Sequence, residues 1–222
     1  MVNAAPPRVR LVLGGTWHDF DRFASCATRI IERAGLTPLV GSDFEVLRCL
    51  EDSGVRVLVL YTCLGGEDPA RYTDAQVASL VEWVRRGGRL LALHSATVSA
   101  AHDPELERLF GAAFAGHPPK QRLEVRCGPA SHPTTEGTSP FTVEDELYRH
   151  GGPPSAAIHL LARDSEGTHP IAWSRPDGSG IVYYFGLGHD ESAWSHPEFA
   201  GLLARILSWL AFESGPACLP RS

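Results

Sequence analysis

The stretch TDAQVASLVEWVRRGGRLLALHSA, Thr73 to Ala96, decides the fold. Thr73 and Gln76 have the spacing of a capping box, in which each side chain satisfies a backbone amide that the first helical turn leaves bare. Val77, Leu80, Val81 and Val84 follow at i, i+3, i+4 and i+7, which is one apolar stripe of a helix. Gly87-Gly88 ends that helix. Arg89 to Leu93 (RLLAL) then reads as a strand with no solvent face. Upstream, Val55 to Tyr61 (VRVLVLY) reads as another buried strand. Strand, helix and strand in this order predict parallel pairing through a right-handed crossover.

The pattern extends in both directions. Val9 to Leu13 is a short apolar run closed by Gly14-Gly15, a third strand. Phe23, Cys26, Ala27, Ile30, Ile31 and Ala34 recur at helical spacing, with Gly35 where a helix C-terminus wants it. Leu106, Leu109 and Phe110 predict a short helix. Arg122 to Cys127, Phe141 to Tyr148 and Ala157 to Ala162 read as strands joined by Pro-rich loops. Pro176-Asp177-Gly178-Ser179-Gly180, between Pro170–Trp173 and Ile181–Phe185, is a hairpin signal. Phe199, Leu202, Leu203, Ile206 and Leu210 form the face of a last helix. The reading is a doubly wound α/β fold: a mainly parallel sheet, helices on both faces and an antiparallel extension. Gly151-Gly152-Pro153-Pro154 is a loop, but no linker, repeat or low-complexity tract divides the chain. Residues 1–222 are expected to form a single domain.

Composition narrows the function. The 222 residues carry a net charge of −6, with no concentrated basic face for nucleic acid or an anionic membrane. No apolar run is long enough to span a bilayer, and the first ten residues lack a signal-peptide core. Cys26, Cys49, Cys63, Cys127 and Cys218 are scattered and odd in number. They read as reduced thiols of a cytoplasmic protein.

In open α/β sheets, ligands bind beyond the C-terminal ends of the strands. The segments there are Gly14-Gly15-Thr16-Trp17-His18-Asp19, Thr62-Cys63 with Gly65-Gly66-Glu67-Asp68, His94-Ser95-Ala96-Thr97 and Gly186-Leu187-Gly188-His189-Asp190. Three of these four ends carry a histidine, the side chain that serves as acid, base or metal ligand near neutrality. His18, His94 and His189 are therefore the candidate metal ligands, with a divalent metal such as zinc as the candidate cofactor and carboxylate completing the set. His117 and His132, each followed by Pro, are balanced between site and turn. His102, His150, His159 and His196 read as exposed or structural. Trp17 and Trp194 flank the histidine segments, where an indole face suits a sugar ring; Trp173 reads as core. Of the adjacent pair Asp145-Glu146, strand alternation lets only one face a pocket. Glu146 is expected inward, with Val143 facing the core and Asp145 exposed. Asp190 either orients His189 or caps the next helix. No G-x-G-x-x-G, P-loop, G-x-S-x-G or H-E-x-x-H is present.

Six collinear motifs carry a resemblance over nearly the whole chain. They are Gly87 to Ala96, Phe114-Ala115-Gly116-His117-Pro118-Pro119, Ser131-His132-Pro133-Thr134, Asp145-Glu146-Leu147-Tyr148, His169-Pro170-Ile171-Ala172-Trp173 and Leu187-Gly188-His189-Asp190. Together they resemble the ThuA-like (trehalose utilisation) proteins. That resemblance implies the class I glutamine amidotransferase-like fold, a flavodoxin-like α/β layer structure. It puts His94 at the elbow where amidotransferases carry their cysteine nucleophile, so amidotransferase chemistry is not implied. It implies a sugar-like small-molecule ligand such as a keto-sugar derivative. On this reading His94, Glu146, His189 and Asp190 are the candidate catalytic residues, and Trp17, His18, His117 and Trp194 the candidate substrate contacts. Isomerisation or elimination by His/carboxylate acid–base chemistry, with or without metal, is the leading function. A non-catalytic sugar- or metal-binding protein and a metal-dependent hydrolase are the alternatives. A homo-oligomer is compatible with the sequence.

Overall fold

A run of apolar residues with no polar alternation has to be covered on both sides, and four strands of the computed structural model are buried in this way. The structure describes residues 5–65, 70–152 and 154–213. Gly66, Glu67, Asp68, Pro153 and Cys218 lie outside these. Strands β1 (Arg8–Gly15), β3 (Val55–Cys63) and β4 (Arg89–Leu93) run parallel, with β2 (Thr37–Gly41) on the outer edge. The sequence reading has no strand at β2. Pro38 and half-exposed side chains hide it, because an edge strand needs neither continuous burial nor every amide.

The remaining strands are β5 (Phe114–Gly116), β6 (Gln121–Cys127), β7 (Phe141–Asp145), β8 (Arg149–His150), β9 (Ala157–Arg163), β10 (Thr168–Asp177) and β11 (Gly180–Phe185). The nine-stranded sheet has the order β2-β1-β3-β4-β11-β10-β9-β6-β7. β11 pairs parallel to β4, and β11 through β7 are joined antiparallel. The hairpin falls where it was read, with Asp177 opposite Gly180 and Gly178 at φ 61, a left-handed turn position that glycine takes without strain.

Side chains of a strand alternate between faces, so each strand feeds two cores. Val57, Val59 and Tyr61 join α1 (Phe20–Arg33) and, after α5 (Glu191–Trp194), α6 (Pro197–Phe212). Leu58 and Leu60 join α2 (Asp74–Arg85) and α4 (Pro104–Phe110); the short α3 (Ala96–Ala100) continues from β4. The capping box is formed on both sides, Gln76 N–H to Thr73 Oγ1 at 3.3 Å and Thr73 N–H to Gln76 Oε1 at 2.9 Å. The architecture is a flavodoxin-like α/β layer structure, parallel through β2-β1-β3-β4-β11 and antiparallel beyond.

One boundary corrects the sequence reading. The strand expected over Phe141–Tyr148 stops at Asp145, and Arg149–His150 pairs instead with β5. Val143 and Asp145 share the inward face while Glu144 is exposed, so Asp145 is buried, not exposed. Glu146 follows the end of the strand, so the rule of opposite faces does not reach it. No helix among the described residues is long and apolar enough to cross a membrane.

Candidate functional site

The C-terminal ends of β1, β4, β7 and β11 converge. His94 ends β4 with φ 45, a left-handed backbone that a residue with a Cβ adopts at a cost. Three contacts hold it there: its N–H donates to the Phe185 carbonyl at 2.8 Å, its carbonyl accepts the Tyr184 hydroxyl at 3.2 Å, and its Nδ1 lies 2.7 Å from the Gly186 carbonyl. The tight strand-to-helix elbow turns the ring, fully buried, toward the strand ends. His18 follows Trp17, the other non-glycine residue at positive φ (74) among those described. Its Nδ1 is 3.2 Å from the Thr16 carbonyl, and its ring stands edge-on to Tyr61, His94 and His189 at centroid distances of 5.2–5.3 Å.

The His18 and His94 imidazoles are each oriented on one side by a carbonyl, which puts the proton on Nδ1 and leaves Nε2 a lone pair. His18 Nε2, His94 Nε2 and His189 Nδ1 are all buried with no hydrogen bond of good geometry. Glu146 supplies the fourth donor. Its Oε2 lies 3.0 Å from His189 Nδ1 and 3.6 Å from His94 Nε2. The four side chains each bring one donor atom within 4.8 Å of all the others. Donors sharing a zinc-sized ion at about 2.0–2.2 Å stand no more than about 4 Å apart, so the short pairs fit and the widest must close by under an ångström or so. Three nitrogens and one carboxylate oxygen, each nitrogen turned inward by a carbonyl behind it or by its loop, form a donor set suited to zinc or another first-row divalent ion.

The electrostatics follow from this crowding. Burial, then the neighbouring His94, lowers His18 to a pKa of about 3. Burial pushes Glu146 upward, but the His189 and His94 rings overcome it and hold the carboxyl well below its usual range. The same contact with Glu146 raises His189. Glu146 is therefore ionised throughout the neutral range.

Beside the donors opens a cleft of about 560 Å³, whose lining includes His18, Glu146 and His189 together with Trp17, Cys63, Val98, Phe114 and Tyr148. Trp17 stands at the rim, 68% exposed. His117 is also at the mouth; it stacks on Tyr148 with centroids 5.0 Å apart, and its Nδ1 is 3.8 Å from Glu146 Oε1. The structure thus brings together His18, His94, His117, Glu146, His189 and Trp17.

Two expected site residues fall elsewhere. Trp194 is core: it packs edge-on to Phe23, and its Nε1 donates to the Gly188 carbonyl at 2.6 Å. Asp190 caps α5, accepting the Ser192 N–H at 2.9 Å, and pairs with Lys120 at 2.6 Å. Both oxygens are thereby engaged away from the imidazoles. His132 belongs to a separate buried network, with Nδ1 2.9 Å from Thr134 Oγ1 and the His159 ring at 4.1 Å. Sequence reasoning missed Asp145, Tyr61 and Tyr148. The adjacency of Asp145 to Glu146 was the available signal, and extending the strand three residues too far concealed it.

Comparison with known proteins bears on the family. The chain resembles a ThuA-like protein from Parabacteroides merdae (TM-score 0.78, 19% identity, 97% of this chain and 94% of that one). A second ThuA-like protein, from Bacteroides uniformis, superposes with TM-score 0.73 at 18% identity, over 95% of this chain and 94% of that one. The exo-beta-1,4-mannosidase Op5Man5 of Opitutaceae bacterium strain TAV5 contains a similar fold in 37% of its length, covering 96% of this chain (TM-score 0.56, 17% identity). At these identities the likeness is one of fold. No curated protein matches the chain. The ThuA family, described as trehalose utilisation, matches over residues 45–210, which take in His94, His117, Glu146 and His189. With three quarters of its length matched in this way, on this fold and with this cluster at the strand ends, the chain belongs to the ThuA family of trehalose utilisation and thus to carbohydrate metabolism.

Proposed function

We propose that the protein is an enzyme that moves a proton on a sugar or keto-sugar derivative, assisted by a divalent cation held by His18, His94 and His189 with Glu146. The observation that carries this reading is the convergence of four donor atoms within 4.8 Å: the buried His18 and His94 Nε2 atoms, neither with a well-formed hydrogen bond, and His189 Nδ1, whose one polar neighbour is Glu146 of the same cluster. An unpaired buried polar atom costs about 1–3 kcal/mol, and the His18 and His94 nitrogens, both beside the Glu146–His189 pair, are accounted for by a shared ligand. A cation bound there supplies the positive charge that polarises a sugar carbonyl or hydroxyl oxygen.

The residues around it supply the rest. A carbonyl acidifies the neighbouring C–H, and the ionised Glu146 accepts that proton through Oε1, the oxygen turned toward His117. The C–H electrons pass into the bond to the carbonyl carbon. In an α-hydroxy carbonyl sugar, returning that proton to the former carbonyl carbon while the neighbouring hydroxyl proton passes to the former carbonyl oxygen gives isomerisation. Departure of a leaving group from the carbon beyond, with its bonding pair and with the proton held by Glu146, gives elimination. Trp17 and Phe114 offer apolar faces to the C–H face of a ring, while Tyr148 backs the cleft beneath the stacked His117. Among the described residues no Lys or Arg lines the cleft, which favours an uncharged sugar over a sugar phosphate.

The test is a proton-NMR screen of disaccharides and their keto derivatives in deuterated water, with and without a chelator. A substrate of this enzyme exchanges a carbon-bound proton or rearranges, and chelation stops it. Glu146→Gln and His94→Ala should each lower that rate by about 10²–10⁴ while the protein stays folded. Turnover untouched by chelator and by both substitutions would contradict the proposal.

A further inference from the structure

Asp145 is fully buried, yet among the described residues no Lys or Arg pairs with it. Backbone amides take that place. Oδ1 accepts the N–H of Glu146 at 2.8 Å and of His189 at 3.1 Å, and Oδ2 accepts the N–H of Gly188 at 2.7 Å. Two of these amides belong to donors of the proposed centre. Those donors come from β7, the far edge of the sheet, and from the loop after β11, four places away in the strand order. Nothing in the strand pairing brings the two together, and the Asp145 carboxylate bonds to both.

The Gly188 peptide is gripped from the other side as well. Its carbonyl accepts Tyr61 Oη–H at 2.7 Å and Trp194 Nε1–H at 2.6 Å. Gly188 has φ 134, and a Cβ there would lie 3.5 Å from the Phe199 ring and 3.7 Å from His94 Cβ. The peptide that carries His189 is thus fixed between a buried carboxylate and two buried ring donors.

We infer that Asp145 is the positioning residue of the centre, setting where His189 stands relative to Glu146, so that its loss weakens cation binding without removing a donor. The inference rests on the metal reading above. Its physical basis is preorganisation: donors already held in place need no ordering when the ion arrives, and groups that orient metal ligands typically contribute about 10–100-fold in affinity.

The experiment is a Co²⁺ titration of the full chain followed by visible absorption, whose bands report the geometry of the donors. Asp145→Asn keeps the shape but turns one acceptor oxygen into an NH₂ that faces a backbone N–H. It should bind Co²⁺ about 10–100-fold more weakly than wild type, with altered bands and an unchanged far-ultraviolet circular dichroism spectrum. Should Asp145→Asn fail to fold, Asp145→Ser, which leaves room for water to take up the amides, is read in the same way. Wild-type affinity and bands in a folded variant would overturn the positioning role. Failure of the wild-type protein itself to bind Co²⁺ is a distinct result that would overturn the metal reading beneath it.

Discussion

His94 pairs a strained backbone with a buried ring that has an unbonded nitrogen. Strain at a sparsely populated φ persists only where the surroundings hold it, and here the holders are Phe185, Gly186 and Tyr184. The geometry predicts an inversion of the usual order of small residues. Glycine in regular structure is normally less stable than alanine by about 0.5–1 kcal/mol. At position 94 both variants lose the ring equally, but only alanine keeps a Cβ in the left-handed region, at about 1–2 kcal/mol. His94→Gly should therefore melt above His94→Ala, by a few degrees at about 2–4 °C per kcal/mol for a chain of this size. Differential scanning calorimetry decides it, and an alanine variant that melts at or above the glycine variant would contradict the strained elbow.

At the scale of elements, legibility tracked the physical cause of each. β3, β4 and β11 are buried along nearly their whole length, so their apolar runs carry the information locally. The α2 capping box is local too. Thr73→Ala removes one half of it and should cost about 1 kcal/mol. Chemical denaturation should show that loss while Co²⁺ binding at the far strand ends stays at the wild-type level; loss of Co²⁺ affinity would mean that the site is coupled to the stability of α2. The strand-end histidines were legible because His18, His94 and His189 each follow a readable strand. Asp145 was not. Its role depends on a return of β7 to the end of β11, and β10, with register shifts between Pro170 and Ala172 and between Ala172 and Trp173, bends the extension in between. Such a long-range closure leaves no periodicity in the chain. Trp194 was misplaced for the opposite reason, since proximity in sequence to His189 says nothing of which side of the loop a side chain takes; for Asp190 the capping alternative is the one the structure shows.

At the scale of the molecule, the two halves of the sheet have separate tasks in one site. The parallel half supplies His18, His94 and His189 from β1, β4 and β11; the antiparallel half supplies Glu146 from the end of β7 and the Asp145 bonds that join it to the others. The cleft lies over the strand ends, where an open α/β sheet collects ligands. The central claim is that these four side chains hold one divalent cation. The direct test is metal content by mass spectrometry after loading with Zn²⁺ or Mn²⁺ and exhaustive dialysis, wild type beside His94→Ala. The account predicts about one tightly held ion per wild-type chain and a large loss in the variant, as removal of a metal ligand requires. A wild-type protein that retains no ion from either solution, or a folded His94→Ala that retains as much as wild type, would contradict it.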